Sequence, residues 1–138
     1  MRPGEENGRP VVLVVDDEEH QRLLYREELE DAGYKVLVAG SGPEAVEIAT
    51  HQHVDLVLLD IAMPGMDGIE TMSRLFNINR CLPVVIHTAY SDFQDDFTTW
   101  AADAYVIKSS DLTGLLQTLR DVLERRGLPA PYHAPAPA

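Results

Sequence analysis

Residues 11–17 read VVLVVDD, and this stretch decides the fold. Five aliphatic residues followed by two aspartates are typical of a parallel strand covered on both faces, because a half-exposed strand would alternate apolar and polar residues. Similar runs occupy residues 55–59, 83–86 and 104–107, and residues 35–39 supply a fifth candidate strand. The stretches between them are long enough for helices. This alternation predicts an α/β fold with a doubly wound, five-stranded parallel sheet.

Five helices are predicted to flank the sheet. They are expected at about 18–32, from about 43, from about 67, at about 92–101 and at 111–125. The last has Leu and Val at helical spacing behind Asp111, which we expect to cap it. The fourth carries Phe93, Phe97 and Trp100 at positions i, i+4 and i+7. A partner could bind such a stripe, but we interpret it as the buried side of the helix.

The composition favours one soluble domain. Of the 138 residues, 45% are hydrophobic and 25% are charged, as in ordinary globular proteins. Residues 1–10 are expected to form a flexible arm and residues 127–138, rich in Pro and Ala, a flexible tail around a domain at 11–126. The single Cys81 has no internal disulfide partner, and no run reaches the roughly 20 apolar residues of a membrane-spanning helix. We therefore expect a cytoplasmic location without membrane insertion.

The formal net charge of -12 limits the classes of partner. Nucleic acids and anionic membranes attract Lys and Arg, so we do not expect this chain to bind either of them directly. The partners are expected to be other proteins, and a weak homodimer is compatible with that expectation.

Polar residues follow four of the predicted strands. Asp16 and Asp17 follow the first strand, Asp60 the third, His87 and Thr88 the fourth and Lys108 the fifth. Each of these residues alone has an ordinary explanation, as a helix cap, a turn residue or a solvated cation. The carboxyl ends of parallel strands meet at one edge of a sheet, however, so we expect these side chains to converge there.

The expected cluster has a distinct chemistry. Three carboxylates held close together repel one another unless a cation or bound protons compensate for their charge. Oxygen ligands without His or Cys point to Mg²⁺, Mn²⁺ or Ca²⁺ rather than to zinc. A metal ion and an ammonium group beside a carboxylate suit phosphoryl transfer, in which Asp60 is the natural nucleophile.

Four motifs resemble those of the receiver domains of two-component response regulators. They read VVDDE at 14–18, LLDIAMPGMDG at 58–68, HTA at 87–89 and YVIK at 105–108. The resemblance runs from about Val11 to Arg125 and implies a flavodoxin-like sheet with strand order 2-1-3-4-5. It also implies a switch rather than a conventional enzyme. Such a module accepts a phosphoryl group on Asp60 from a sensor histidine kinase or a histidine phosphotransfer protein, and then presents a changed surface to an unknown protein target.

The resemblance assigns a role to each polar residue of the expected cluster. Asp17, Asp60 and the backbone carbonyl of Ala62 would bind Mg²⁺ directly, with Mn²⁺ as an alternative, and Asp16 would act through water. Lys108 would pair with the phosphoryl oxygens.

Thr88 and Tyr105 would form the switch in this family pattern. Thr88 would donate its hydroxyl to the new phosphate and draw its loop inward, while Tyr105 would turn from an exposed to a buried rotamer. An ordinary alternative for Tyr105 is an amphipathic residue near a strand end, with its ring packed and its hydroxyl in water.

The sequence departs from the family pattern in two places. Ser109 follows Lys108 where many receivers have a proline in a cis peptide, so we do not expect a cis bond here. Ala62 and Tyr90 stand at the two positions that flank the path of the hydrolytic water in this family, and neither is an acid or an amide that would orient water. We therefore expect a phosphorylated state that lacks rapid self-hydrolysis.

Three histidines are interpreted without a functional role. His87 neighbours Thr88, but alternation along a strand directs adjacent side chains to opposite faces, which favours a structural role. His51 and His53 are placed at the far end of the second helix and in its following turn, remote from the aspartate cluster, and are expected to be solvated.

Two other functions remain open from the sequence. An enzyme similar to haloacid dehalogenases would hydrolyse phosphate esters through Asp60, but its second acid is missing because Ala62 stands at that position. A receiver-like module that binds partners without phosphorylation is the other alternative, although the residues of the phosphorylation site are all present.

Overall fold

The computed structural model describes residues 8–62, 68–89 and 102–131. Nine helices and strands occur within these ranges. In chain order they are β1 (Val11–Val15), α1 (Glu19–Asp31), β2 (Lys35–Ala39), α2 (Gly42–His51), β3 (Leu56–Leu59), α3 (Gly68–Ile78), β4 (Val84–Thr88), β5 (Ala104–Ile107) and α4 (Thr113–Arg125).

All five strands pair in parallel in one sheet with the order β2-β1-β3-β4-β5. The predicted α/β fold and strand order are therefore confirmed. Four helices lie in the part of the chain that the structure describes, whereas the helix predicted at 92–101, with its aromatic stripe, falls outside it. No helix among the described residues is long and apolar enough to cross a membrane.

The sheet separates two apolar cores. Successive residues of a strand point to opposite faces, so Leu13 and Val15 join one core while Val12 and Val14 join the other. Residues of α2 and α3 complete the first core, and residues of α1 and α4 complete the second. Burial on both faces explains why β1 and β3 are uninterrupted apolar runs.

Strand β4 is longer than the predicted run at 83–86, because it includes His87 and Thr88. Pairing with β5 accounts for the difference, since His87 lies opposite Val106 and Thr88 lies opposite Ile107. Ile86 belongs to the core beside α2 and α3, and Val85 belongs to the core beside α1 and α4. Alternation therefore directs His87 towards the helices α1 and α4 and Thr88 towards the other face.

The last helix begins at Thr113 rather than at Asp111. Asp111 still satisfies its first turn, because the Asp111 carboxylate accepts a hydrogen bond of 3.0 Å from the backbone N–H of Thr113. At the other end Gly127 takes a positive φ of 70°, and the N–H of Leu128 donates to the carbonyl of Leu123 over 2.8 Å. The chain thus reverses direction after the helix.

Residues 128–131 differ from the solvated tail predicted at 127–138. Leu128 packs against the core beside α1 and α4, and Pro131 is buried. The Pro131 carbonyl accepts hydrogen bonds of 3.0 and 3.2 Å from the guanidinium of Arg120. A Pro-rich composition did not reveal this anchor, because proline lacks an N–H but keeps a carbonyl that can accept hydrogen bonds.

Candidate functional site

Three aspartates meet at the carboxyl edge of the sheet. Asp16 follows β1 and Asp60 follows the neighbouring β3, and the N–H of Asp60 donates to the carbonyl of Val15 over 3.0 Å. Asp17 begins the loop towards α1. One carboxylate oxygen from each of the three aspartates lies within 4.8 Å of the others. Asp16 and Asp60 are buried, with 2% and 7% of their surfaces exposed, whereas Asp17 is open to solvent.

Lys108 bridges the two buried carboxylates. Its Nζ donates to Asp16 Oδ2 over 2.7 Å and to Asp60 Oδ2 over 2.9 Å. The backbone N–H of Lys108 donates to the carbonyl of Thr88 over 2.7 Å, which fixes the end of β5 against β4. The described residues contain no cis peptide bond, and the lysine reaches the acidic cluster with Ser109 rather than proline after it.

The charge of Lys108 is stabilised by its partners. Burial alone disfavours the ammonium, but the hydrogen bonds and charges of Asp16 and Asp60 outweigh it and raise the pKa of Lys108 above its ordinary value. The ammonium is therefore kept at neutral pH. Its positive charge compensates part of the negative charge of the three aspartates at this edge of the sheet.

The remaining oxygens of the two buried aspartates are held by their own loops. Asp60 Oδ1 accepts a hydrogen bond of 2.9 Å from the N–H of Ala62, and Asp16 Oδ1 accepts one of 2.9 Å from the N–H of Glu18. Arg22 Nη1 also donates to the Asp16 carbonyl over 2.7 Å. The sequence interpretation missed Arg22, although a basic residue one turn into a helix that follows an acidic pair is a recognisable signal.

Thr88 supplies an unsatisfied hydroxyl near this edge. Its residue surface is 0% exposed, and its Oγ1 has no hydrogen-bond partner among the described residues. A buried hydroxyl without a partner costs free energy, and in native structures it calls for an explanation such as a bound ligand. Thr88 Oγ1 is thus free to donate to an acceptor that enters the site.

His87 packs on the opposite face, as alternation predicted. It is 2% exposed, and its ring meets that of Tyr25 edge to face, with centroids 4.9 Å apart and planes at 66°. The Tyr25 hydroxyl donates to Gln21 Oε1 over 2.5 Å. Burial, reinforced by the positive charge of Lys108, lowers the pKa of His87 to about 4. A neutral, packed imidazole agrees with a structural role.

Four other residues singled out from the sequence have different outcomes. Tyr105 is half-buried against the core beside α2 and α3, and its rotamer change stays a prediction. Tyr90 lies outside the described residues. His51 is exposed at the end of α2, as expected, with its Nε2 at 3.0 Å from Glu47 Oε1. His53 is exposed, as expected, and its Nε2 lies 2.8 Å from Oδ1 of the buried Asp55, a contact that the sequence interpretation missed.

A family model described as the response regulator receiver domain matches residues 12–120 of the chain. The chain is similar to sporulation initiation phosphotransferase F of Bacillus subtilis, with 42% identity over 81 residues that cover 59% of this chain and 65% of that protein. Transcriptional regulatory protein ZraR of Escherichia coli shares 39% identity over 115 residues, which cover 81% of this chain and 26% of ZraR. The chain thus spans less than two thirds of either relative.

The fold is also similar to solved structures of the response regulator TrrA from Thermotoga maritima. In complex with Mg²⁺-BeF, TrrA has 38% identity to this chain and a TM-score of 0.77, and the match covers 83% of this chain and 99% of TrrA. A second structure holds TrrA in complex with the histidine kinase ThkA. There the identity is 38% and the TM-score is 0.75, with coverage of 83% of this chain and 98% of TrrA.

Proposed function

Because the chain belongs to the response regulator receiver domain family, we propose that Asp60 accepts a phosphoryl group and that the phosphorylated domain presents a changed surface to a protein partner. One arrangement carries this proposal. The buried Asp60 carboxylate lies beside two further aspartates, holds a hydrogen bond from Lys108, and is accompanied at the same edge by the partnerless hydroxyl of Thr88. Like other receiver domains, the chain would then act as a signalling module rather than as a conventional enzyme.

The acidic cluster fits Mg²⁺. Hard oxygen donors from three carboxylates, one of them exposed, suit a cation that keeps some of its water. Asp17, Asp60 and the Ala62 carbonyl would hold it directly, and Asp16 would act through water. The TrrA complex with Mg²⁺-BeF, a phosphoryl mimic, supports this assignment, and Mn²⁺ shares the same ligand preference. When bound, the ion neutralises charge on the cluster and on phosphoryl oxygens.

Asp60, Lys108 and Thr88 would each have a separate role in phosphoryl transfer. A carboxylate oxygen of Asp60 attacks the phosphorus of a phosphohistidine, so that an O–P bond forms, the P–N bond breaks and the electron pair stays on the imidazole of the donor. Lys108 exchanges its contact with Asp60 Oδ2 for a phosphoryl oxygen. Thr88 donates its hydroxyl to another. The complex of TrrA with the histidine kinase ThkA supports a kinase as the donor, and a phosphotransfer protein offers the same chemistry.

The switch would begin at Thr88. The Thr88 hydroxyl is buried and lacks a partner, so a new hydrogen bond to the phosphoryl group would satisfy it. This hydrogen bond would favour inward movement of the loop after β4 in the phosphorylated state. Tyr105, half-buried on the paired strand β5, would follow into the space that opens. The net charge of -12 favours a protein as the downstream partner rather than a nucleic acid.

The direct test combines labelled phosphodonor with the protein and with Asp60→Ala. Candidate kinases carrying labelled phosphate, or a small labelled phosphoramidate, should label the unchanged protein in Mg²⁺ and leave Asp60→Ala unlabelled. Asp121→Ala is the matched control, because Asp121 is exposed on α4 and its Oδ1 accepts a hydrogen bond of 2.8 Å from Gln117 Nε2. Chelation of divalent cations should abolish labelling. Equal labelling of Asp60→Ala would refute the proposed acceptor.

We further propose a long-lived phosphorylated state. Ala62 is exposed directly beside Asp60, and its methyl group cannot orient a water molecule for in-line attack. The side chain of Tyr90 would hinder that path. Replacement Tyr90→Glu should accelerate loss of the label roughly tenfold after the donor is removed, because an acid can orient and activate the water. An unchanged rate would contradict this idea, and many turnovers of a small phosphate ester would favour a hydrolase instead.

A further inference from the structure

Asp16 is held at each of its polar atoms. Its N–H donates to the carbonyl of Ala39 over 3.1 Å, and its two carboxylate oxygens accept hydrogen bonds from the N–H of Glu18 and from Lys108 Nζ. The remaining contact is the hydrogen bond of 2.7 Å from Arg22 Nη1 to the Asp16 carbonyl. Arg22 thus reaches back from α1 to the loop that carries the other acid of this pair.

The Asp16 carbonyl sets the direction in which the chain enters Asp17. A peptide unit is planar, so a donor that fixes this carbonyl also fixes the orientation of the next N–H and Cα. Asp17 is exposed, and Glu18, which precedes α1, makes no side-chain cap for the helix. The placement of Asp17 therefore depends on how the backbone of this loop is held. A hydrogen bond from a charged guanidinium is among the stronger ones that proteins make.

We propose that Arg22 is a positioning residue for the Mg²⁺ site, and that it holds the peptide between Asp16 and Asp17 in the orientation that lets Asp17 bind the ion. This inference rests on the proposed function, because it takes the three aspartates as the metal site. Arg22 acts through the backbone and touches neither the ion nor the phosphoryl group. Outer contacts of this kind orient metal ligands before the ion arrives, and their loss typically weakens metal binding by about 10- to 100-fold.

The guanidinium of Arg22 also lies against the turn after β2. Gly40 occupies this turn, and a Cβ at its position would be 3.1 Å from Arg22 Nη1. The Gly40 N–H donates to Glu44 Oε2 over 3.2 Å, so a carboxylate of α2 lies beside the same turn as the guanidinium. The lack of a side chain at Gly40 therefore leaves room for Arg22 to reach the Asp16 carbonyl.

Titration of the metal-free protein with Mg²⁺ tests the proposal. The amide signals of Asp17 and Asp60 should report binding, and Arg22→Ala should raise the dissociation constant of Mg²⁺ roughly tenfold. Arg26→Ala is the matched control, because it removes the same charge from the same helix, where Arg26 pairs with Glu30 at the surface. Its dissociation constant should equal that of the unchanged protein. Equal affinities of Arg22→Ala and Arg26→Ala for Mg²⁺ would overturn the proposal.

Gly40→Ala tests the same contact with the arginine in place, and so does not depend on the stability of Arg22→Ala. The added Cβ should displace the guanidinium from the Asp16 carbonyl, and the φ of Gly40 lies outside the left-handed region, so alanine can adopt this backbone conformation. Mg²⁺ affinity should decrease, and it should not decrease further when Gly40→Ala is combined with Arg22→Ala. Losses that add fully in the double variant would mean that the two residues act separately, and the proposal would fail.

Phosphorylation separates a positioning role from a direct one. The rate at which a small labelled phosphoramidate labels Arg22→Ala should fall below that of the unchanged protein at limiting Mg²⁺ and approach it at saturating Mg²⁺. Slow labelling at saturating Mg²⁺ would place Arg22 in the transfer step and contradict a role confined to the metal. If the Mg²⁺ affinities are as expected but the unchanged protein is not labelled, the proposed acceptor is refuted and the role of Arg22 stands.

Discussion

Replacing Lys108 with methionine should lower the free energy of unfolding of the metal-free protein by about 3 kcal/mol, the lower end of the cost of breaking a buried ion pair. Its ammonium contacts both Asp16 and Asp60, whose side chains are only 3% and 9% exposed. Methionine keeps the unbranched chain up to the ε position but leaves two buried carboxylates facing each other without a counter-charge. The substitution therefore raises the free energy of the native state more than that of the unfolded state, in which water solvates the carboxylates.

Mg²⁺ should restore much of this loss, because a cation that binds only the native carboxylates stabilises the native state by mass action. Urea unfolding with a chelator and with excess Mg²⁺ measures both effects. Arg74→Met is the control, since the Arg74–Glu70 pair on α3 is 61% and 58% exposed and such surface pairs contribute about 0.5 kcal/mol or less. If Lys108→Met unfolded at the same urea concentration as the unchanged protein in chelator, the bridge would not matter for stability.

His87 should make the protein lose about 3 kcal/mol of stability on acidification from pH 6.5 to pH 4. Its pKa is about 4 in the folded state, against an ordinary value of 6.5. Above pH 6.5 both states carry a neutral imidazole, and the stability is complete. As the pH falls below 6.5, the imidazole is protonated in the unfolded chain but not in the folded protein, so the free energy of unfolding decreases. Below about pH 4 the imidazole is protonated in both states, and its contribution does not change further.

Replacement His87→Phe removes the titrating group and keeps an aromatic ring beside Tyr25. Denaturant unfolding between pH 4 and pH 7 should show a markedly flatter acid decline for this variant than for the unchanged protein. His51→Gln is the control, because His51 is exposed at the end of α2 and its replacement should leave the decline in place. Equal slopes for the unchanged protein and His87→Phe would show that other groups cause the acid loss.

The sequence was sufficient for the sheet and for most of the acidic edge. Continuous aliphatic runs report burial on both faces of a strand, and they located β1, β2 and β5 to the residue. The convergence of Asp16, Asp60 and Lys108 followed from a general property of parallel sheets, in which the carboxyl ends of all strands share one edge. These inferences needed only local patterns and a topological rule.

The features that were missed depend on contacts between distant parts of the chain. The fourth strand was predicted to end at Ile86 because polar residues follow, although pairing with β5 continues the strand to Thr88. The contact of His53 with Asp55 was missed because Asp55 becomes buried only when β3 lies beside β1. The anchor of Pro131 requires Arg120, which lies two helical turns before the chain reverses. No single-residue pattern contains such information.

One backbone hydrogen bond has a mechanical consequence. The N–H of Lys108 donates to the carbonyl of Thr88, so the two residues that would grip a phosphoryl group form a single rung across β4 and β5. A displacement of Thr88 would therefore also displace Lys108 and the segment that connects it to α4. Because β5 is an edge strand and Ile107 is 42% exposed, the proposed displacement would emerge at the solvent-facing margin of the sheet. The proposed protein partner would meet the change there, and the two apolar cores would stay intact.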